Sequence, residues 1–395
     1  MAILTNVYLG RLQPSPHRFG MLVNSEYKHG VVEEMIKMND REANKRYLRC
    51  LFMLARANGL AKDDEEGDIT DTDDASIENY NVADILLGDD QLDKWYYDKK
   101  DLNYISGYCD LILRYALTLP NRQSDKVEES ISRCFEIIER YEKLGHKPVG
   151  SYALKNKALR TEADIMKYKG EDFAKIEECF LRSIRLVEDN EFQGEYPSDR
   201  EVSIIPDGER SGNNLTNSLL DLCSFYTDTR QPKYMSKALS ILISELRSLE
   251  RECKGLDRKY DSNALYSKKG LKSEDERRLM ELKFERIPLI KMEISEILWY
   301  GQHFDKAIDM AKDSAQQSSM YSHSNFNSAK IAKMGFANLS KMYHKKGDDE
   351  AAQLCQLQSD GIEIPLDAFI TPSSTVRDAV LGYWFGSWGR FLFPG

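Results

Sequence analysis

The sequence predicts an all-α fold, an α-solenoid of antiparallel helix pairs, on three observations. Apolar residues recur at spacings of three and four through most of the chain, and no long apolar–polar alternation marks a strand. Gly (23) and Pro (11) are sparse among 395 residues, and charged residues make up 30%, which fits a helix-rich protein better than a sheet or a disordered chain. The helix-length segments are divided by short breaks, and pairs joined in this way along so long a chain favour stacked hairpins over one globular bundle.

Residues 1–60 read as an N-terminal segment followed by one helix. Val31 to Leu60 carries the apolar stripe Tyr47, Leu48, Leu51, Phe52 and Leu54. The first 25 residues hold Arg11 and Arg18 and no acid, the balance of a mitochondrial presequence, but Pro14 and Pro16 would break its helix, so this is the minor reading. Residues 61–90 read as an acidic disordered loop, with twelve acidic side chains against the single Lys62. The rest of the chain then has 54 Lys and Arg against 53 Asp and Glu, so the folded parts are close to neutral and nucleic acid is not an expected partner. Asp71, Asp73 and Glu78 lack the turn glycine and the ligand spacing of a calcium loop.

Residues 91–190 read as helical hairpins, with helices near 92–118, 124–144, 150–168 and 172–189. Pro197, Pro206 and Gly208 mark 191–212 as a loop. A hairpin follows over 213–256, its helices near 213–228 and 232–254 and its turn, "TDTRQPK", longer than the others. A polar linker, 257–274, leads to paired helices over 275–360, near 275–299, 304–318, 325–346 and 348–360. Residues 361–395 form an aromatic C-terminal tail.

The window Gly335 to Leu354 tests for a repeat. Phe336, Leu339, Ser340, Tyr343, Gly347 and Ala352 stand at the spacings of a helix-turn-helix unit in which a small residue and an alanine let the helices approach and a glycine makes the turn. This window resembles the tetratricopeptide repeat (TPR) superfamily. Looser copies keep Ile294, Ser295, Leu298, Phe304, Ala307 and Ala311, with Gly301 one place out of register, and Ala163, Tyr168, Gly170, Phe173 and Phe180, with Ile176 at the helix-crossing position. Asn217 to Leu246 adds Tyr226, Tyr234 and Ala238. The matches cover less than half the chain.

Searches for local chemistry exclude the common motifs. The six histidines include no pair at i, i+4, and the seven scattered cysteines form no CxxC pair, so they read as small buried side chains in a reducing compartment, cytoplasmic or mitochondrial. No P-loop, GxSxG or dinucleotide fingerprint occurs, and "KKGLKS" at 268–273 is a basic turn. Acidic pairs such as Asp348/Asp349 lie in turns, with nothing in the sequence to bury them. No metal and no cofactor is expected.

The resemblance implies a non-enzymatic adaptor or assembly scaffold that holds a protein or peptide partner in the groove lined by its first helices. That groove would present Asn338, Lys341 and His344 on one unit and Glu293, Glu296 and Trp299 on the one before. Only Asn338 matches the clamp by which some TPR domains hold a C-terminal carboxylate, and Glu293 would repel one. The alternative from another class is an all-α enzyme or enzyme subunit whose site is not local in sequence.

The tail carries Tyr383, Trp384, Phe385, Trp388, Phe391 and Phe393 with one charge, Arg390. Seventeen residues from Ala379 make a helix of at most about 25 Å, short of the roughly 30 Å hydrocarbon core. Three readings stay open: a cap over the last helix pair, an interfacial membrane contact, and an anchor into a partner protein.

Overall fold

The computed structural model describes residues 19–35, 39–60, 85–99, 102–119, 125–144, 151–194, 196, 201–260 and 273–365. Every regular element among them is a helix. In chain order these are α1 (Met21–Met35), α2 (Asp40–Ala57), α3 (Asp89–Lys99), α4 (Leu102–Thr118), α5 (Asp125–Lys143), α6 (Ser151–Lys169), α7 (Phe173–Glu191), α8 (Asn213–Asp228), α9 (Pro232–Lys259) and α10 (Glu274–Glu281). A π-helical turn, Leu282–Arg286, joins α10 to α11 (Ile287–Tyr300), and α12 (Phe304–Ser319), α13 (Phe326–Lys346) and α14 (Asp349–Gly361) follow. The chain divides into two compact units, one reaching to Val187 and the other starting at Glu188. Of the first 25 residues, weighed above as a presequence, 1–18 lie outside the described residues, as do most of the acidic stretch and all six aromatic tail positions. No helix among the described residues is long and apolar enough to cross a membrane.

In the first unit α1 packs on α2, α2 on α4, and α4 on α5 and α6. Six tyrosines, Tyr27, Tyr47, Tyr104, Tyr108, Tyr115 and Tyr141, are buried in its core. Two expected helices are each a pair. The segment read as one helix from Val31 breaks at Asn39, whose side chain accepts from the Glu42 amide at 3.2 Å and starts α2 afresh. Helix α1 went unread because it buries the polar Asn24 and Lys28 beside Val23, Tyr27 and Val31, which hides the apolar stripe. Its Gly30 is a packing position: a Cβ there would lie 2.6 Å from the Tyr47 ring. The helix expected near 92–118 is α3 and α4. The last residues of the acidic stretch are folded, since Ile85, Leu86 and Leu87 are buried and Leu87 donates its amide to the Tyr108 hydroxyl at 2.7 Å.

In the second unit α8 packs on α9, α9 reaches past α10 to α11, and from there each helix packs on the next in sequence: α11 on α12, α12 on α13 and α13 on α14. Small residues set the closest approaches. A Cβ on Gly335 of α13 would sit 2.9 Å from the Ala315 Cβ of α12 and 3.3 Å from the Met292 Cε of α11. The loop at 201–212 is tied down: Ser203, Ile205 and Ser211 are buried, Ser248 donates to the Glu209 carbonyl at 2.8 Å, and Arg278 donates to the Ser211 carbonyl at 2.9 Å. The turn between α8 and α9 is Thr229–Gln231, with the facing helix ends at Asp228 and Pro232 as the sequence indicates, while the far end of α9 runs on to Lys259 into the stretch read as a polar linker.

One helix ending recurs in both units. At Gly59, Gly170, Gln302 and Gly347 the backbone turns left-handed, with φ of 75°, 71°, 63° and 81°. Each time the next amide reaches back to the carbonyl five residues earlier: Leu60 to Ala55 at 3.0 Å, Glu171 to Met166 at 3.0 Å, His303 to Leu298 at 2.9 Å and Asp348 to Tyr343 at 3.0 Å. This is the Schellman ending, which satisfies carbonyls that the helix leaves open. It also accounts for the register of Gly301, since the left-handed position falls on Gln302 and the glycine before it is not used as one.

Candidate functional site

Two polar ties, one near each end, join the π turn and α11 to α13. Near one end Asn325 and Asn327 donate to the Glu285 carboxylate of the π turn at 2.8 and 2.9 Å. Near the other, Asn338 donates to Glu296 at 2.8 Å and rests its amide 3.7 Å from the Met292 sulfur. Asn327 to Glu285 and Asn338 to Glu296 span the same sequence separation, 42 residues, so α11 and α13 run parallel in fixed register, with α12 returning between them.

Glu293 lies one helical turn from Glu296. Burial pushes its pKa up to about 7, and the neighbouring Glu296 charge adds to the rise. Glu296 is raised as well, by burial, while the Asn338 bond and the Lys341 charge pull it back. Glu285 follows the same rule: burial raises it, and its two asparagine donors offset part of the rise. No cation offsets Glu293 among the described residues. Cations elsewhere on these helices are engaged: Lys291 meets Asp313 at 2.5 Å, Arg286 meets Glu281 at 3.0 Å and Lys346 meets Asp305 at 2.6 Å.

Of the six groove residues read from the sequence, the fold brings four together: Glu293, Glu296, Asn338 and Lys341. Trp299 and His344 go elsewhere. Trp299 is half-buried against Phe304, ring centres 4.7 Å apart, and joins the apolar cluster of Ile308, Ala311, Phe336 and Leu339. His344 is exposed and bonds to Asp349 at 2.7 Å across the turn into α14. No local pattern signals burial at any carboxylate, yet Glu293 is partly withdrawn from water and Glu245 of α9 wholly so. Glu245 accepts from Ser211 at 3.4 Å through one oxygen, while the other has no hydrogen-bond partner among the described residues. A run such as "SELRSLE" reads as a solvated face, yet Ser211 of the loop, Thr216 of α8 and Arg286 of the π turn all lie close to its first glutamate.

Among the described residues no group of three or more His, Cys, Asp or Glu side chains is placed to hold a metal ion. The described fold is that of an all-α protein whose helices pack as adjacent pairs. No family model matches the chain, and no curated protein matches it.

Proposed function

We propose that the second unit is a TPR-like adaptor module that holds a segment of a protein partner along the face shared by α11 and α13. The observation that carries this reading is the row Glu293, Glu296, Asn338 and Lys341, set in fixed register on two parallel helices. Asn338 and Glu296 hold each other across the two helices, so a partner that meets this pair loses little to side-chain ordering, and the exposed Lys341 adds a charge beside it. The recurrent left-handed helix ending and the small residues at the α12–α13 crossing support the repeat reading on which the groove depends. The chemistry of the row is recognition: its carboxylates and amide offer hydrogen bonds to an extended chain or to one side of a helix.

Panning a random peptide library against the full chain, then mapping the bound peptide by hydrogen exchange, tests this directly. Enriched peptides are expected to slow exchange within 293–300 and 334–341. Failure of any peptide to enrich, or protection confined to other helices, would remove the reading.

A further inference from the structure

The first unit contains a groove of about 500 Å³ between α5 and α6, closed at one end by the start of α7. The two helices are antiparallel, since Lys169 at the end of α6 pairs with Glu128 at the start of α5 and Lys155 pairs with Glu142 at the opposite ends. The α5 side is a continuous stripe, Glu128, Ile131, Phe135, Glu136 and Glu139 among its members. Spacings of three and four keep it on one helix face for about 16 Å. The floor is apolar: Ile131 and Ile165 are buried, and Phe135 and Met166 are half-buried.

The rim is acidic. Five glutamates line the groove against two lysines, Lys169 and Lys175, and each lysine is already paired, with Glu128 and with Glu171. Glu136, Glu139 and Glu162 remain on the rim without a lining cation. Arg133 donates to Glu136 at 3.1 Å and to Asp89 at 2.8 Å, so its one charge is shared between two carboxylates, and Glu136 stays exposed. Lys143 stands 3.9 Å from Glu139, with both side chains mostly exposed, and such a pair contributes little.

An apolar floor between two straight helices, flanked by negative charge, fits one kind of occupant. We infer that the α5–α6 groove receives a single amphipathic helix of a partner protein, its apolar ridge on Ile131, Phe135, Ile165 and Met166 and its lysine or arginine flanks against Glu136, Glu139 and Glu162. The helix-in-groove mode uses anchors at i, i+3, i+4 and i+7, the spacing that the α5 stripe presents. Charge on the rim sets orientation and encounter rate and rejects acidic helices, while the apolar floor supplies the affinity. This site is separate from the α11–α13 face and does not depend on it.

The test uses the full chain and three labelled peptides of about 18 residues, long enough for five helical turns. One has a leucine ridge with lysine flanks, one the same ridge with glutamate flanks, and one is a scrambled lysine–leucine sequence of identical composition. Fluorescence anisotropy is read on the wild type and on the variant E136K/E139K/E162K, with circular dichroism to confirm that the variant is folded. The lysine-flanked peptide is expected to bind the wild type, to beat its scrambled form by about tenfold and to lose about tenfold on the charge-reversed chain, which should gain affinity for the glutamate-flanked peptide. Absence of binding by the lysine-flanked peptide overturns the inference, as does equal binding of the scrambled peptide or equal affinity for both chains. Should the triple variant not fold, E136K/E139K carries the same comparison at exposed positions.

Discussion

Asp110→Ala is expected to destabilise the first unit by about 3–5 kcal/mol, the largest single-site loss in this protein. Asp110 of α4 stands at the centre of a network joining four helices. It accepts from Lys157 Nζ of α6 at 2.6 Å, from Arg114 Nε of its own helix at 2.9 Å and from the buried Tyr27 hydroxyl of α1. Arg114, only 7% exposed, reaches on to Glu34 at 2.6 Å, and the Tyr47 hydroxyl of α2 meets the same Glu34 oxygen at 2.5 Å. Burial alone would raise the Asp110 pKa, but Lys157 and Arg114 together hold it well below the usual carboxylate range. Alanine leaves the Tyr27 hydroxyl without its acceptor and Lys157 and Arg114 with fewer anions than cations in a space shielded from water. Denaturant unfolding of the full chain reads the loss, and Asp110→Asn, which keeps one acceptor oxygen, should fall between the wild type and the alanine variant. A shift below about 1 kcal/mol for Asp110→Ala would show that water already does the work assigned to the carboxylate.

Glu245→Gln is expected to act in the opposite direction and only above acid pH. Burial raises the Glu245 pKa from the ordinary 4.5 to about 7, with Thr216, Arg286 and Ser211 pulling it part of the way back. A carboxyl with a raised folded-state pKa holds its proton more tightly in the folded protein than in the unfolded chain. Its contribution is therefore most favourable below about pH 4.5 and is lost as pH rises through about 7, by at most about 3 kcal/mol. Glutamine fits the same space with no charge to desolvate. Melting temperatures at about pH 5 and pH 8 should fall with pH in the wild type and stay flatter in Glu245→Gln, with the variant the more stable at pH 8. Glu293 adds a slope of the same sign but smaller, because it is open in part to water. Parallel curves for the two proteins would refute the assignment.

Most helices from Asp125 onward were legible to within a residue or two, because glycine, proline, asparagine and aspartate punctuate them and each needs only one apolar face; the exceptions are α9, which runs on to Lys259, and the segment expected as one helix over 275–299, which a π-helical turn divides into α10 and α11. Helix α1 was not, since a glycine in mid-helix and buried polar side chains obscure its face. Gln302 could not be recognised as a left-handed position, because nothing in its side chain marks it and Gly301 stood next to it as the natural candidate. The groove residues divide by the same rule. Glu293, Glu296, Asn338 and Lys341 came from the repeat resemblance, and helix spacing keeps each pair on one face. Trp299 was misplaced because an aromatic ring near a helix end turns toward whatever apolar surface the next helix brings, here Phe304. The Asp110 network and the buried Glu245 draw on residues far apart in the chain, and no local pattern encodes that meeting.

On the proposed function, the partner lies along the α11–α13 face. The affinity of a library-selected peptide for three full chains tests it: the wild type, Asn338→Trp, which fills the middle of the row, and Gln356→Trp, at an exposed position on α14. Asn338→Trp is expected to weaken binding by about tenfold or more while Gln356→Trp leaves it unchanged. Equal affinity for all three chains would contradict it.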